Sequence, residues 1–196
     1  MLKSAAIAAA LTVAAQPVLA QSSPAPATAP PPAPCAGAEH RQFDFWVGSW
    51  DVYPTGQDKQ VARSLIERLY SGCAIRENWM PLGGGGGGSL NNYVIGDKGW
   101  RQTWLDSTGG RVEFKGGWDG KAMVLTGFWA GVNGPGQDAL VRMTYTKNEQ
   151  GWVRQFGEAS QDDGKTWTVN FDLTYRPSKP VGWHGPSRSP SWRSSS

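Results

Sequence analysis

Apolar and polar residues alternate along most of the chain between residues 45 and 176. Successive side chains of a β-strand point to opposite faces, so this period of two predicts half-buried strands. The pattern is clearest in the last segment, where the apolar residues are Trp167, Val169, Phe171, Leu173 and Tyr175. Ten strands are predicted, at 45–53, 61–70, 73–80, 89–95, 100–106, 111–117, 121–130, 139–147, 152–160 and 166–176.

Short runs rich in Gly, Asp and Asn separate these segments, as is typical of tight hairpins. Short connections pair each strand with the next, which predicts an antiparallel up-and-down meander. An open sheet of this size would expose two edges, so we expect an all-β domain of about ten strands closed into a barrel. The glycine run 83–88 should be a mobile connection between strands three and four, either inert or a lid.

Gly48 and Trp50 lie in the first predicted strand. A glycine lets two backbones approach closely, and a tryptophan two residues later lies on the same face. We therefore expect Trp50 to plug one end of the barrel.

The N-terminus has the composition of an export signal. Lys3 precedes an apolar stretch at 5–15, and Ala20 ends a Val-Leu-Ala sequence suited to cleavage. The stretch is too short to cross a bilayer, and no other segment approaches the necessary length. The predicted organisation is a signal peptide at 1–20, a Pro/Ala-rich linker at 21–34, the barrel at 35–176 and a disordered basic Ser/Pro tail at 177–196, in a periplasmic or secreted protein.

The net positive charge of the chain comes from residues outside the predicted barrel. All 16 acidic residues fall within 39–176, whereas four of the 19 basic residues lie outside it: Lys3, Lys179, Arg188 and Arg193. The formal net charge of +3 therefore belongs to the chain ends, and the composition of the barrel gives no support to nucleic-acid binding.

The chain has two cysteines, Cys35 and Cys73. In an exported protein, an even pair is expected to form one disulfide, which would tie the segment before the first strand to the third strand. Two free buried thiols are the structural alternative. A catalytic thiol has less support, because no histidine lies near Cys73 in the sequence.

Residues 160–167 fit the Asp-box pattern Ser-x-Asp-x-Gly-x-Thr-Trp. In such a box, the Ser, Asp and Thr side chains satisfy the backbone of a hairpin while the Trp packs beneath it. Propellers repeat the box in several blades, whereas it occurs once here. We expect it to stabilise a hairpin.

Several polar residues share strand faces with aromatic ones. Charged groups on a buried face must be paired or hydrogen-bonded, and Arg154 could pair with Glu77 or Glu158. These faces could instead point to solvent. If they face inward, they form a ligand pocket with aromatic walls. The candidate ligand-binding residues are Glu77, Trp79, Tyr93, Trp100, Gln102, Trp104, Arg154 and Glu158.

The only histidines, His40 and His184, lie outside the predicted strands. A histidine-dependent nucleophile, a zinc site and a histidine-ligated haem are therefore hard to build inside the barrel, and we expect no metal or other cofactor and no catalytic residues of these kinds. A carboxylate pair such as Glu77 with Glu158 could do acid–base work.

The chain resembles the calycin superfamily, which includes the lipocalins. Gly48-Ser49-Trp50 is similar to the lipocalin first-strand signature, and Arg176 is similar to the basic residue that packs across that tryptophan in the family. More closely, the chain resembles a bacterial family of exported lipocalin-like domains of unknown function. The segments that carry this resemblance are 43–50, 72–79, 100–104 and the Asp-box hairpin. The resemblance implies a barrel but no activity. Residues 48–54 are also faintly similar to the haem-binding nitrobindins. Those proteins need a histidine ligand late in the barrel, and this chain has none there.

Three hypotheses follow. The first is an exported lipocalin-like barrel that binds a small, partly apolar or aromatic molecule. The second is a periplasmic hydrolase or isomerase that uses Glu77, Arg154 or Glu158. The third is a non-catalytic structural or interaction domain. The first two require these polar residues to line one enclosed volume.

Overall fold

The computed structural model describes residues 33–178, which form ten antiparallel strands. The predicted all-β class and the up-and-down order are confirmed. The strands are β1 (Gly48–Pro54), β2 (Ala62–Leu69), β3 (Ala74–Pro81), β4 (Gly87–Val94), β5 (Gly99–Asp106), β6 (Arg111–Trp118), β7 (Met123–Trp129), β8 (Ala139–Lys147), β9 (Val153–Ser160) and β10 (Thr168–Pro177). The predicted signal peptide, nearly all of the linker and most of the tail lie outside the described residues.

The sheet closes because β1 pairs with both β2 and β10. Val52 lies opposite Ala62 on one side and opposite Tyr175 on the other, and all three side chains are buried. A closed, ten-stranded antiparallel barrel of this kind fits a calycin/lipocalin-like fold. Within residues 33–178, no helix has the length and apolar character needed to cross a membrane.

The segment before β1 crosses one end of the barrel as two short 3-10 turns, Ala38–Arg41 and Asp44–Trp46. The prediction of a strand from residue 45 is therefore wrong at its start. Phe43 and Trp46 are fully buried, and their rings stack with centroids 4.9 Å apart. The chain turns here because both rings insert into the barrel, where Phe43 also meets the edge of Tyr145. We call Phe43, Trp46 and Trp50 the plug.

Trp50 lies inside the plugged end, where its indole Nε1 donates a hydrogen bond to the Trp46 carbonyl at 2.9 Å. Gly48 has a φ of +153°, and a Cβ at this position would lie 3.3 Å from the Trp50 ring. A larger residue at position 48 would therefore crowd the ring against which the glycine backbone packs.

The expectation that Arg176 packs across Trp50 is wrong. Arg176 follows Tyr175, whose ring is buried inside the barrel, so the arginine points outward. Its guanidinium lies 4.2 Å from the centre of the Tyr53 ring and donates a hydrogen bond to Asp58. Arg176 therefore belongs to the outer surface.

The predicted disulfide between Cys35 and Cys73 is confirmed. It joins the segment before the plug to the residue that precedes β3. Arg41 reinforces this connection by donating a hydrogen bond from Nη2 to the Cys35 carbonyl at 2.7 Å. The plug is thus held to the barrel by a covalent link as well as by packing.

The Asp-box hairpin has the hydrogen bonds that its sequence predicts. Asp162 accepts from the Thr166 backbone N–H at 2.8 Å and from the Ser160 hydroxyl at 2.7 Å. The Trp167 indole donates to the Gly164 carbonyl at 3.0 Å. The hydrogen bonds from Thr166, backbone first, lower the pKa of Asp162 to about 2. The carboxylate therefore serves the hairpin.

The glycine connection is shorter than predicted, because Gly87 and Gly88 belong to β4. Residues 82–86 form the turn itself. A Cβ at Gly87 would lie 2.6 Å from the Leu105 carbonyl oxygen and 2.7 Å from the Trp104 ring. Gly87 is therefore a packed strand residue that leaves room for Trp104.

Candidate functional site

A cavity of about 270 Å³ lies inside the barrel, on the far side of the plug. Tyr145 and Tyr175 separate it from the plug, and their rings lie 5.0 Å and 6.2 Å from the Trp46 ring, centre to centre. The side chains that line it are Glu77, Trp79, Gln102, Trp104, Phe114, Trp129, Met143, Tyr145, Gln155, Phe171, Leu173 and Tyr175.

Partly exposed aromatic side chains surround the end of the cavity farthest from the plug, and we call this end the mouth. They are Trp79, Trp104, Trp129 and Phe171. The Trp104 and Trp129 rings lie 6.4 Å apart, and Phe114 meets the edge of Trp129 at 6.1 Å. A Cβ at Gly157 would lie 2.3 Å from the Phe171 ring, so the missing side chain creates the space that this ring occupies. The mouth thus offers flat apolar surfaces.

Glu77 is the one carboxyl group among the lining residues, and it is 5% exposed. It lies on the inner face of β3, between Ser64 on β2 and Ser89 on β4. The Ser64 hydroxyl donates to Oε1 at 3.3 Å, and the Ser89 hydroxyl donates to Oε2 at 3.0 Å. Each carboxyl oxygen therefore has a neutral donor.

Two amide side chains extend this hydrogen-bonded network along the barrel wall. Asn91 donates from Nδ2 to the Ser89 hydroxyl at 3.0 Å and to the Ile75 carbonyl at 3.1 Å. Gln102 donates from Nε2 to Asn91 Oδ1 at 2.6 Å. All of these side chains are buried. The network fixes the position of Ser89, which in turn holds Glu77.

A second network joins the neighbouring strands β8, β9 and β10 along another part of the barrel wall. The Tyr175 hydroxyl donates to Gln155 Oε1 at 2.6 Å, and Gln155 Nε2 donates to the Tyr145 hydroxyl at 2.9 Å. The Tyr145 hydroxyl is 3.5 Å from Met143 Sδ, a weak acceptor. Its proton is therefore available to a stronger acceptor on a ligand.

Burial changes the acidity of the groups in the cavity. Desolvation raises the pKa of Glu77 to about 7, although the hydrogen bonds from Ser89 and Ser64 act in the opposite direction. Desolvation also raises the pKa of Tyr145 and Tyr175, with a further contribution from the charge of Glu77. The two phenols therefore stay neutral, while Glu77 changes charge near neutral pH.

Four of the eight predicted ligand-binding residues line the cavity: Glu77, Trp79, Gln102 and Trp104. Tyr93 and Trp100 lie at the plugged end instead. Trp100 is buried and donates from Nε1 to Gln42 at 3.1 Å, while Tyr93 meets the edge of His40. The expectation that these two residues share the pocket is wrong, because the N-terminal segment covers them.

Arg154 and Glu158 lie on the outer face of β9, so the expectation that they face the interior is also wrong. Arg154 donates to both oxygens of Asp172, at 2.8 Å and 2.6 Å. Glu158 accepts from Arg142 at 3.0 Å and 2.9 Å. Neither pairs with Glu77, and the hypothesised acid–base pair of Glu77 with Glu158 does not form.

A bulge in β10 changes which side chains face inward. Val169 lies opposite Glu158 and Phe171 lies opposite Gly157, so Asn170 is the extra residue. The five apolar residues of the sequence pattern therefore do not share one face. Phe171, Leu173 and Tyr175 line the cavity, whereas Val169 is 64% exposed. Trp167 lies outside, with the Arg142 guanidinium 4.1 Å from its ring centre.

Sequence reasoning missed eight lining residues: Phe114, Trp129, Met143, Tyr145, Gln155, Phe171, Leu173 and Tyr175. The alternation of β8 could have found Met143 and Tyr145, because both share its buried face with Val141. Gln155 follows Val153 on the buried face of β9, so assigning that face correctly would have revealed it.

Among residues 33–178, no group of three or more His, Cys, Asp or Glu side chains is placed to hold a metal ion. The cavity can instead provide aromatic stacking, hydrogen bonding through neutral groups and one titratable carboxyl.

No protein-family model matches the chain, and neither does any curated protein. The assignment of a calycin/lipocalin-like fold therefore depends on the geometry of the closed barrel.

Proposed function

We propose that this protein is an exported lipocalin-like barrel that binds a small, partly apolar or aromatic molecule in its interior. The observation that carries the proposal is the cavity itself, which combines four aromatic side chains at the mouth with convergent polar groups further in. Binding pockets commonly have this composition, because apolar walls supply affinity and a few polar groups fix orientation.

The size of the cavity limits the ligand. Its volume of about 270 Å³ lies just below the usual range of roughly 300–1,000 Å³ for ligand pockets. A molecule with one aromatic ring and a short polar substituent is therefore favoured over a long acyl chain.

The proposed export rests on two observations. The first is the N-terminal sequence with its charged start, apolar stretch and small-residue ending. The second is the disulfide between Cys35 and Cys73, a bond that persists in oxidising compartments. Membership of the exported bacterial lipocalin-like family is part of the same proposal, supported by the four sequence segments described above.

A small-molecule library screened by intrinsic tryptophan fluorescence tests the binding function, with hits confirmed by calorimetry. Trp129→Ala removes a ring at the mouth, and Trp152→Ala is the matched control because Trp152 lies outside against Arg176. We expect at least a tenfold weaker affinity in the Trp129 variant and unchanged affinity in the control. A library without any binder, or an equal loss in both variants, would contradict the proposal.

A further inference from the structure

The cavity has an acidic group without a basic partner. None of its twelve lining residues is Lys, Arg or His. The three arginines of its own hairpin are engaged elsewhere, since Arg76 pairs with Glu67, Arg68 pairs with Asp44 and Arg63 lies 3.9 Å from Asp51. Glu77 therefore receives hydrogen bonds only from the hydroxyls of Ser64 and Ser89.

The other titratable groups that face Glu77 are the phenols of Tyr145 on β8 and Tyr175 on β10. Both have a raised pKa and stay neutral at physiological pH. Its neighbours on β2 and β4 are serines, and β5 contributes the neutral Gln102. An ionised Glu77 is thus the single full charge in the cavity.

A buried carboxylate is unfavourable unless a cation or sufficient hydrogen bonds compensate for the loss of hydration. The faces of tryptophan rings attract cations, and three tryptophans line the same cavity as Glu77: Trp79, Trp104 and Trp129. The same cavity thus has two features that favour a positive charge and no cationic side chain that could balance a negative one.

We propose that the ligand is a small organic cation, an amine with an apolar or aromatic body, whose ammonium group lies beside Glu77. This inference rests on the proposed binding function and narrows it to one chemical class. The ammonium group supplies the countercharge that the protein lacks, and the body of the ligand stacks on the rings at the mouth. A carboxylate ligand of the same shape is repelled by Glu77.

Binding of such a cation depends on pH in a defined direction. The carboxyl group is protonated below its pKa of about 7 and charged above it. Affinity for an amine should therefore fall as the pH is lowered through this value, whereas affinity for a neutral molecule should not. A bound ammonium favours the carboxylate form and lowers the pKa of Glu77 in the complex.

The test compares three probes of similar shape by calorimetry on the exported form of the protein: phenethylamine, phenethyl alcohol and 3-phenylpropionate. At a pH above the pKa of Glu77, we expect the amine to bind at least tenfold more tightly than the alcohol. We expect the carboxylate to bind most weakly of the three. Glu77→Gln should remove the preference for the amine, so that the amine and the alcohol bind with similar affinity. Glu158→Gln is the matched control, because this carboxylate lies on the outer face.

Each outcome separates this inference from the binding function. Equal or tighter binding of the alcohol or the carboxylate would overturn the cation proposal and leave the binding function intact. A preference for the amine that persists in Glu77→Gln would also overturn it. If none of the three probes binds, the cation proposal fails, and the binding function fails with it only when the wider library yields no ligand sensitive to Trp129→Ala.

Discussion

The two halves of the barrel interior both contain tryptophan clusters, but one half is filled and the other is hollow. At the plugged end, Phe43 and Trp46 come from outside the strands and insert into the barrel, where they are fully buried. At the mouth, Trp79, Trp104 and Trp129 belong to the strands themselves, and no further chain segment within residues 33–178 fills the space between them.

This difference shows that residue type alone does not distinguish a core from a binding site. Both clusters have the rings that a sequence search would select. What separates them is whether another part of the chain covers the rings. The filled half should determine stability, and the hollow half should determine ligand recognition.

Truncation of the plug should have the largest effect. Trp46→Ala removes a fully buried ring that packs on Phe43 and Tyr145, so we expect the free energy of unfolding to fall by about 3–5 kcal/mol. Trp129→Ala only widens an existing cavity and should cost less than about 2 kcal/mol. Urea unfolding of both variants measures the difference. Equal losses would show that the two halves contribute alike.

The buried acid of the hollow half should make stability depend on pH. The pKa of Glu77 is about 7 in the folded state against 4.5 ordinarily, so folding favours the protonated form. The loss of folding stability from burying the ionised carboxylate is absent when the pH is below the ordinary pKa. It grows as the pH rises between the two pKa values and is complete above the folded-state pKa. Since a tenfold change in proton affinity is worth about 1.4 kcal/mol, the cost reaches about 3 kcal/mol.

Urea unfolding at several pH values measures this cost. Relative to Glu77→Gln, the wild-type protein should lose about 3 kcal/mol of stability between about pH 4 and pH 8. Glu158→Gln is the control, because it removes a carboxylate that lies on the outer face of the barrel. A constant difference between wild type and Glu77→Gln across this range would mean that Glu77 is hydrated in the folded state.

The smallest effect is expected on the outer face, which belongs to neither cluster. Arg154→Ala breaks the ion pair with Asp172, in which the arginine side chain is 48% exposed. Exposed pairs contribute little, so the free energy of unfolding should change by less than about 1 kcal/mol and binding should be unaffected. Thermal unfolding and calorimetry with a library hit measure both quantities. A loss of binding would place Arg154 in the recognition of ligands after all.

The barrel could be predicted because its signals are local. The alternation of apolar and polar residues, together with the residues typical of hairpins, was sufficient to predict all ten strands. The strand β8 even has the bounds that the sequence predicts, 139–147. The cysteine count and the single Asp box also led to the correct local structures.

The cavity was harder to predict because alternation groups residues without showing which group faces inward. Arg154, Phe156 and Glu158 do share a face of β9, but it is the outer one, where the Arg154 guanidinium lies 4.7 Å from the centre of the Phe156 ring. The extra residue Asn170 then reverses the alternation within β10. Tyr93 and Trp100 depend on a tertiary event, the insertion of the plug, that no strand pattern encodes.

The position of the disulfide has a practical consequence for handling the protein. Cys35 is joined to the turn before β3, and the Ser178 backbone N–H donates to the Ser49 carbonyl at 2.9 Å, so both termini of the described chain emerge beside the plug. A surface attachment made directly before Cys35 or directly after Ser178 would therefore sit at the opposite end of the barrel from the mouth. Immobilised protein should present its cavity outward, which makes surface-based screening of soluble molecules feasible.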